Sequence, residues 1–306
     1  MKKYLINRLM FLVVLSILAV GCASTDSAKK IKAFSDATVL TTQNTINAFD
    51  VVERKYYDSQ VAKITANYDT DGFNPNSIER FLEPPQIEAR IQVLNGLQKY
   101  SEKLSVIMGN EQLDEFDEET RKLGESLTKV NNSFAKNNIL SAAPFDSNQI
   151  QIFTTAVNAL GRWFIEHKRE EGVKKSVGEM QGNVGIICEL FAKDIGTVGQ
   201  TGLREQLWRS YSDIMKAQDA FILQNKDTLD PIAKRDEIKY LASLVIDQKK
   251  ADETLKSVQK ALEQLKETHS KLNEAFSDNT IEIDNLIKQL KDEGRRIKKF
   301  YESLEK

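Results

Sequence analysis

Apolar residues recur three or four positions apart over most of the chain, which is the spacing of one face of an α-helix. We find no stretch in which apolar and polar residues alternate as they do in a half-buried β-strand. Turn-forming stretches rich in Gly, Pro, Asn and Asp interrupt the pattern at about 68–85, 138–147, 197–202 and 225–230. The pattern therefore predicts an all-α fold, an elongated helical bundle with long antiparallel, coiled-coil-like helices.

The breaks divide the chain into consecutive helices. Pro85 suits the first turn of a helix, and Asp230 followed by Pro231 is a start signal, with Asp as the N-cap and Pro as the first helical residue. We expect helices over about 31–67, 85–109, 112–137, from 147 to beyond 164, up to about 194, over 203–224 and from 231 onward.

The strongest periodic feature is a seam of residues spaced alternately three and four apart in the last quarter of the chain, which is coiled-coil spacing. Its members are Leu241, Leu244, Gln248, Ala251, Leu255, Val258, Leu262, Leu265, His269, Leu272 and Phe276. Residues 231–306 could form one helix of about 75 residues, about 110 Å long. The alternative is a helical hairpin that turns at residues 277–280, which favour caps and turns. We favour the hairpin, because a lone helix of that length would need a partner along all of it.

The first 20 residues have a different composition. Residues 1–8 carry three basic residues and no acidic one, and residues 9–20 are apolar except for Ser16. As a helix the apolar run is about 18 Å long, short of the roughly 30 Å hydrocarbon core of a bilayer. A basic segment followed by a short apolar core is typical of a secretory signal peptide.

The junction Gly21-Cys22 resembles the lipobox of bacterial lipoproteins, in which a small residue precedes the modified cysteine. The resemblance implies a signal peptide over residues 1–21, cleavage before Cys22, and acyl chains on Cys22 that hold the protein to a lipid bilayer. Removal of 21 residues from the 306 leaves a mature chain of 285 residues. This chain would consist of the lipidated cysteine with a polar tether, over 22–30, and a helical domain over 31–306 with a possible sub-boundary near 138–147. In a cell with two membranes, Ala23 favours the outer membrane by the rule of that family.

Composition narrows the function classes. The chain has 43 basic and 45 acidic residues, a net charge of -2, which argues against nucleic acid as a partner. It has two Cys and two His, little material for a multi-ligand metal site or a thiol-based catalytic site. Walker and Rossmann glycine patterns are missing from the sequence. We therefore expect no enzymatic activity and no cofactor.

Two motifs are candidates for metal binding. His167 and Glu170 would share a helical face, and they are similar to part of the Gly-x-His-x-x-Glu motif of the imelysin-like family of helical, exported, iron-associated proteins, with Ile165 at the Gly position. Asp69, Asp71 and Asn74 resemble part of a calcium loop, although Gly and Glu do not stand at the EF-hand positions. The competing interpretations are a solvated charged face and a polar interhelical turn.

Three further features have structural interpretations. His269 lies on the heptad seam and is expected to be packed or to set the register. Cys188 stands among apolar residues and is expected to be a buried, inert thiol. Gly178, Gly182 and Gly185 would share a helical face, which predicts close helix packing or, alternatively, a membrane-contacting or dimerising face.

Together these features predict a membrane-anchored envelope lipoprotein, facing the periplasm or the exterior, whose helical domain has an interaction or scaffolding role. Its partners would be the lipid bilayer, through acylated Cys22, and a protein partner or a second copy, through helical faces. The first alternative is a helical binding module for a metal or small ligand. The second is a membrane-active helical protein, which residues 184–195 are too short and too charged to support.

Overall fold

The computed structural model describes the backbone of residues 2–109, 118, 121–127, 147–166, 172–275 and 281–304, and most of their side chains from residue 27 onward. Every regular element in these ranges is helical, which confirms the all-α class. The helices are α1 (Lys2–Ala66), α2 (Tyr68–Asp71), α3 (Pro84–Gly109), α4 (Ser147–Glu166), α5 (Val173–Ile195), α6 (Leu203–Gln224), α7 (Pro231–Ala275) and α8 (Ile281–Leu304), with a 3-10 turn at Pro75–Ser77. Residues 121–127 are also helical; the rest of the helix expected over 112–137, apart from residue 118, and the possible sub-boundary near 138–147 lie outside the described residues.

Helix α1 is the long axis of the bundle. Its 65 residues extend about 100 Å, and it packs against α3, α6, α7 and α8. Four buried threonines on α1 each donate a hydroxyl hydrogen bond to the carbonyl oxygen four residues earlier, so their polar groups are satisfied inside the helix. These residues are Thr38, Thr41, Thr42 and Thr45. A threonine-rich stretch can therefore lie in the core beside Phe34 and Phe49.

The start of α1 differs from the prediction. We expected a helix from residue 31 after a polar tether, whereas the backbone of residues 2–30 already continues the same helix. As a helix, residues 22–30 span about 14 Å. The eight residues 23–30 could reach roughly 28 Å if they were fully extended. The packed body begins directly after them, because Ile31 is buried.

Residues 231–304 adopt the hairpin arrangement, with α7 and α8 as separate helices that pack against each other. The described seam residues on α7 are buried, apart from Leu241, which is half-buried. Helix α5 packs antiparallel to α7, where Gln181 donates a hydrogen bond to Ser270 and Gln259 donates one to the carbonyl oxygen of Ala192. Long antiparallel helices thus form the body of the bundle, as predicted.

Several predicted helix ends are confirmed. Asp230 caps α7, since its Oδ1 accepts hydrogen bonds from the backbone N–H groups of Ile232 (2.8 Å) and Ala233 (2.9 Å). Helix α6 spans the predicted residues, and α5 ends one residue beyond the predicted Asp194.

The segment between α2 and α3 folds back onto α1, where the Gln60 side chain exchanges two hydrogen bonds with the backbone of Glu79.

The glycine face predicted on α5 does not mediate close helix packing, and this prediction is wrong. Gly178 and Gly182 are exposed, and a Cβ atom on Gly182 would have no neighbour within 4 Å. Gly185 is buried, and a Cβ atom on it would make only ordinary van der Waals contact, at 3.7 Å, with its nearest neighbour, the aliphatic chain of Lys266. Close approach occurs elsewhere: a Cβ atom on Gly294 of α8 would lie 2.6 Å from a methyl carbon of Leu40 on α1.

Candidate functional site

Two predicted sites fall where the structure gives no side-chain geometry. Cys22 lies on the backbone of α1, among the residues whose side chains are not described. His167 and Glu170 lie between α4 and α5, outside the described residues. The lipidation site and the iron-type motif therefore stay predictions.

The structure describes the residues of the predicted calcium loop and does not bring them together in one site. Asp69 and Asp71 are exposed on the four-residue helix α2. Asn74 uses its side-chain oxygen to accept a hydrogen bond from the backbone N–H of Asn76 at 3.0 Å. Within the described part of the chain, no three His, Cys, Asp or Glu side chains are grouped as metal ligands would be. The geometry gives the calcium interpretation no support.

His269 lies in an aromatic cluster in the bundle core. Its Nε2 shares a 2.9 Å hydrogen bond with the hydroxyl of Tyr100, and the rings of Phe34 and Tyr100 contact the imidazole. Its Nδ1 is buried and has no hydrogen-bond partner among the described residues. Burial lowers the pKa of His269 from 6.5 to about 4, so the imidazole is neutral at pH 7. This geometry confirms the packed histidine expected on the seam.

Cys188 is a fully buried thiol on α5, as predicted. Burial raises the pKa of Cys188 to about 12, although the nearby ammonium of Lys266 acts in the opposite direction. Since the thiolate is the reactive form of cysteine, the side chain is unreactive in the folded protein.

A buried ion pair that the sequence analysis missed joins α3 to α5. The guanidinium of Arg90 donates hydrogen bonds from Nε (2.7 Å) and an Nη (3.2 Å) to the two carboxylate oxygens of Asp194. Both side chains are almost fully excluded from solvent, and Arg90 also lies 5.6 Å from the ring centroid of Phe49. The pair links the two helices inside the bundle core, where its charged groups have almost no access to solvent.

A well-defined open concavity lies at the end of the bundle far from the amino terminus. We call it the distal groove: a cleft of about 700 Å³ between the last three turns of α1, the second half of α6 and the beginning of α7. Its walls are lined by Lys55, Tyr57, Asp58, Val61, Ala62, Thr65, Ala66, Ile214, Ala217, Gln218, Phe221, Gln224, Glu237 and Tyr240. The lining positions on α1 and α6 recur at helical spacing, so the groove runs along the bundle axis and opens at its side.

The charged groups of the distal groove are engaged with neighbours in the same chain. Lys55 donates a 2.9 Å hydrogen bond to Asp58, and its ammonium lies 5.0 Å from the ring centroid of Tyr211. Glu237 accepts a hydrogen bond from the side-chain amide of Gln218. Burial, assisted by the carboxylates of Asp247 and Asp58, raises the pKa of Tyr211 to about 12, so this phenol stays neutral. The groove therefore offers polar as well as apolar groups to anything that binds it.

Exposed apolar side chains are concentrated at the same end. Of the 14 large hydrophobic side chains that are exposed in the described residues, 11 lie in residues 57–73 and 221–246. They are Tyr57, Val61, Tyr68, Phe73, Phe221, Leu223, Ile232, Ile238, Tyr240, Val245 and Ile246. The sequence indicates these exposed residues through a second set of apolar positions at the start of α7, which lie off the heptad seam. The sequence analysis did not distinguish this second set from the seam residues.

Comparison of the chain with protein-family models, with curated protein sequences and with solved structures gives no significant match. In the part of the chain that the structure describes, no helix combines the length and the apolar content needed to cross a bilayer.

Proposed function

We propose that this protein is a lipoprotein of the bacterial cell envelope, anchored through acylated Cys22, whose helical domain acts by binding another macromolecule. The observation that carries the proposal is the order of residues 1–22: basic residues, a twelve-residue apolar run, then Gly21-Cys22. Two or more acyl chains anchor a protein stably, whereas a single chain binds a membrane only marginally. Ala23 favours the outer membrane in a cell that has two.

The continuity of α1 is consistent with this proposal. The backbone helix passes without a break from Cys22 to Ile31, which is already buried in the bundle. Nine residues of helix separate these positions by about 14 Å, so acyl chains on Cys22 would hold the body close to the membrane surface. The distal groove would then lie about 60 Å along α1 from the anchor, at the end of the bundle farther from that surface.

An interaction role agrees with the surface of the domain. Large contiguous apolar patches on the surface of monomeric proteins usually mark interaction sites. Four of the exposed apolar side chains line the distal groove, and they support binding through apolar helical surfaces: Tyr57, Val61, Phe221 and Tyr240.

The test is acylation of the full-length chain in a bacterial host. Cys22→Ser removes the only proposed attachment point, and Cys188→Ala is the matched control because it removes the other of the two cysteines. We expect the wild type and Cys188→Ala to incorporate labelled palmitate and to fractionate with membranes. Cys22→Ser should lose the label and should accumulate as unprocessed precursor. Equal labelling or equal processing of Cys22→Ser and wild type would overturn the proposal.

A further inference from the structure

The distal groove contains one carboxylate whose charge is not balanced by a cation of the described residues. Glu237 is half-buried and accepts a hydrogen bond at Oε2 from the side-chain amide of Gln218, and it forms no ion pair within the described part of the chain. The other two charged residues of the lining, Lys55 and Asp58, are bonded to each other. A ligand that complements the charge of the groove would therefore bring one positive charge.

Aromatic side chains lie on both sides of this carboxylate along the groove. Helices α6 and α7, which a short loop connects, run antiparallel. Phe221 lies three residues after Gln218, and Tyr240 lies three residues after Glu237. Each is therefore displaced by about 4.5 Å along the axis from the Gln218–Glu237 hydrogen bond, and the two displacements have opposite directions. A group bound to the carboxylate would lie between two half-exposed rings.

The opposite wall, formed by α1, already contains the kind of contact that a cationic ligand would make. The ammonium of Lys55 lies 5.0 Å from the ring centroid of Tyr211 and is hydrogen-bonded to the carboxylate of Asp58. Cations are attracted to aromatic rings as well as to carboxylates. The ring of Tyr57 lines the same wall and is half-exposed, so it is open to a further contact of this kind.

The exposed apolar area limits the size of the ligand. At about 200 Å² for each aromatic side chain, the exposed parts of Tyr57, Phe221 and Tyr240 amount to roughly 300 Å². Each side of a stable interface between two folded proteins buries about 800 Å². The groove therefore suits a short segment rather than the surface of a folded domain.

We propose that the distal groove binds a short segment of a partner protein in which one lysine or arginine is flanked by apolar residues. The cation would contact Oε1 of Glu237, since Gln218 uses Oε2, and the apolar neighbours would cover the rings. Polyamines and polybasic segments fit less well, because their further charges would find no unpaired carboxylate in the lining. The inference rests on the proposed function and deepens it, because it names the chemistry that the interaction domain recognises.

The first experiment measures the binding of blocked tripeptides to the full-length protein in nanodiscs of uncharged lipid, with empty nanodiscs as the blank. The probes have leucine at both ends and lysine, arginine, glutamate or norleucine in the middle, and binding is followed by saturation-transfer NMR. We expect the lysine and arginine probes to bind at least about fivefold more tightly than the other two. Equal affinities for all four probes, or no binding of the cationic ones, would overturn the proposal.

Two variants with the same change of charge test the position of the site. Glu237→Gln removes the carboxylate but keeps an acceptor for Gln218, and Glu267→Gln is the matched control, because Glu267 is exposed on the same helix about 45 Å from the groove. We expect Glu237→Gln to weaken binding of the lysine probe about five- to tenfold and Glu267→Gln to leave it unchanged. Tyr240→Leu should weaken it about two- to fivefold. Equal weakening by the two glutamine variants would show non-specific attraction and refute the site, and circular dichroism melts establish that every variant is folded.

The second experiment places a photo-cross-linking amino acid at position 61, on the groove wall, in intact cells, with exposed position 198 as the control. We expect position 61 to capture a partner peptide with lysine or arginine between apolar residues, and Glu237→Gln to abolish this product. Products that contain only lipid or a second copy of this chain, or no product that depends on Glu237, would count against the proposal decisively. Intact masses separate the two claims: an acylated protein that does not bind the lysine probe refutes only the ligand, and an unacylated protein that binds it refutes only the anchor.

Discussion

Protonation of His269 should destabilise the fold at mildly acidic pH. The imidazole is almost fully buried, and burial lowers its pKa from 6.5 to about 4. Above pH 6.5 the ring is neutral in both the folded and the unfolded chain, so it makes no pH-dependent contribution. Between pH 6.5 and 4 the unfolded chain binds a proton that the folded chain does not, so the free energy of unfolding falls as the pH falls.

The magnitude follows from the size of the pKa shift. One pKa unit corresponds to 1.36 kcal/mol, so the full effect is on the order of 3 kcal/mol at pH 4 and about 2 kcal/mol between pH 7 and pH 5. Other groups also titrate: burial raises the pKa of Asp50 and of Glu53, and these shifts act in the opposite direction. The informative quantity is therefore the difference between wild type and His269→Gln, which keeps a polar partner for Tyr100 but does not titrate.

The assay is urea unfolding of both proteins at pH 7 and pH 5, with the free energy extrapolated to water and the m-values compared. We expect the wild type to lose about 2 kcal/mol more than His269→Gln on acidification. Equal losses for the two proteins, with unchanged m-values, would contradict this prediction, because they would show that His269 is as easily protonated in the folded state as in the unfolded one.

Three further predictions concern packing. Arg90→Met should destabilise the fold by about 3–5 kcal/mol, because it leaves the carboxylate of Asp194 buried and unpaired. Adding Asp194→Leu should restore much of that loss, as measured by urea unfolding. A double variant no more stable than Arg90→Met alone would contradict this prediction. Gly294→Ala should lower the free energy of unfolding by about 1–3 kcal/mol, because the new methyl group clashes with Leu40. In a double-mutant cycle, Leu40→Ala should reduce that loss. Additive effects would show that the two positions do not contact each other. Cys188 should react with a thiol reagent only after unfolding, and rapid labelling of the native Cys22→Ser protein would show that the thiol is accessible.

Local sequence signals were sufficient to predict much of the fold. The seam on α7 predicted its buried face because each seam residue lies three or four positions from the next, a distance set by one helix alone. Asp230 followed by Pro231 located the start of α7 for the same reason, since the cap involves only neighbouring residues. The predicted start of α1 at residue 31 was wrong, because the polar composition of residues 23–30 does not prevent them from continuing the helix.

The features that depend on tertiary contacts could not be predicted in this way. Arg90 and Asp194 are 104 positions apart, and neither lies in a pattern that identifies the other. The distal groove forms where α1, α6 and α7 meet and leave part of their surfaces uncovered, which periodicity along one helix does not show. Close approach at Gly294 depends on where α8 crosses α1, so three glycines on one face of α5 were a misleading signal.

Lipid attachment at Cys22 is tested most directly by the intact mass of the full-length chain purified from the membrane fraction of its bacterial host, combined with fragmentation of its amino-terminal peptide. We expect a polypeptide that begins at Cys22 and carries diacylglyceryl mass on the sulfur of that residue. A chain that still begins at Met1, or one that is cleaved but bears no lipid on Cys22, would contradict it.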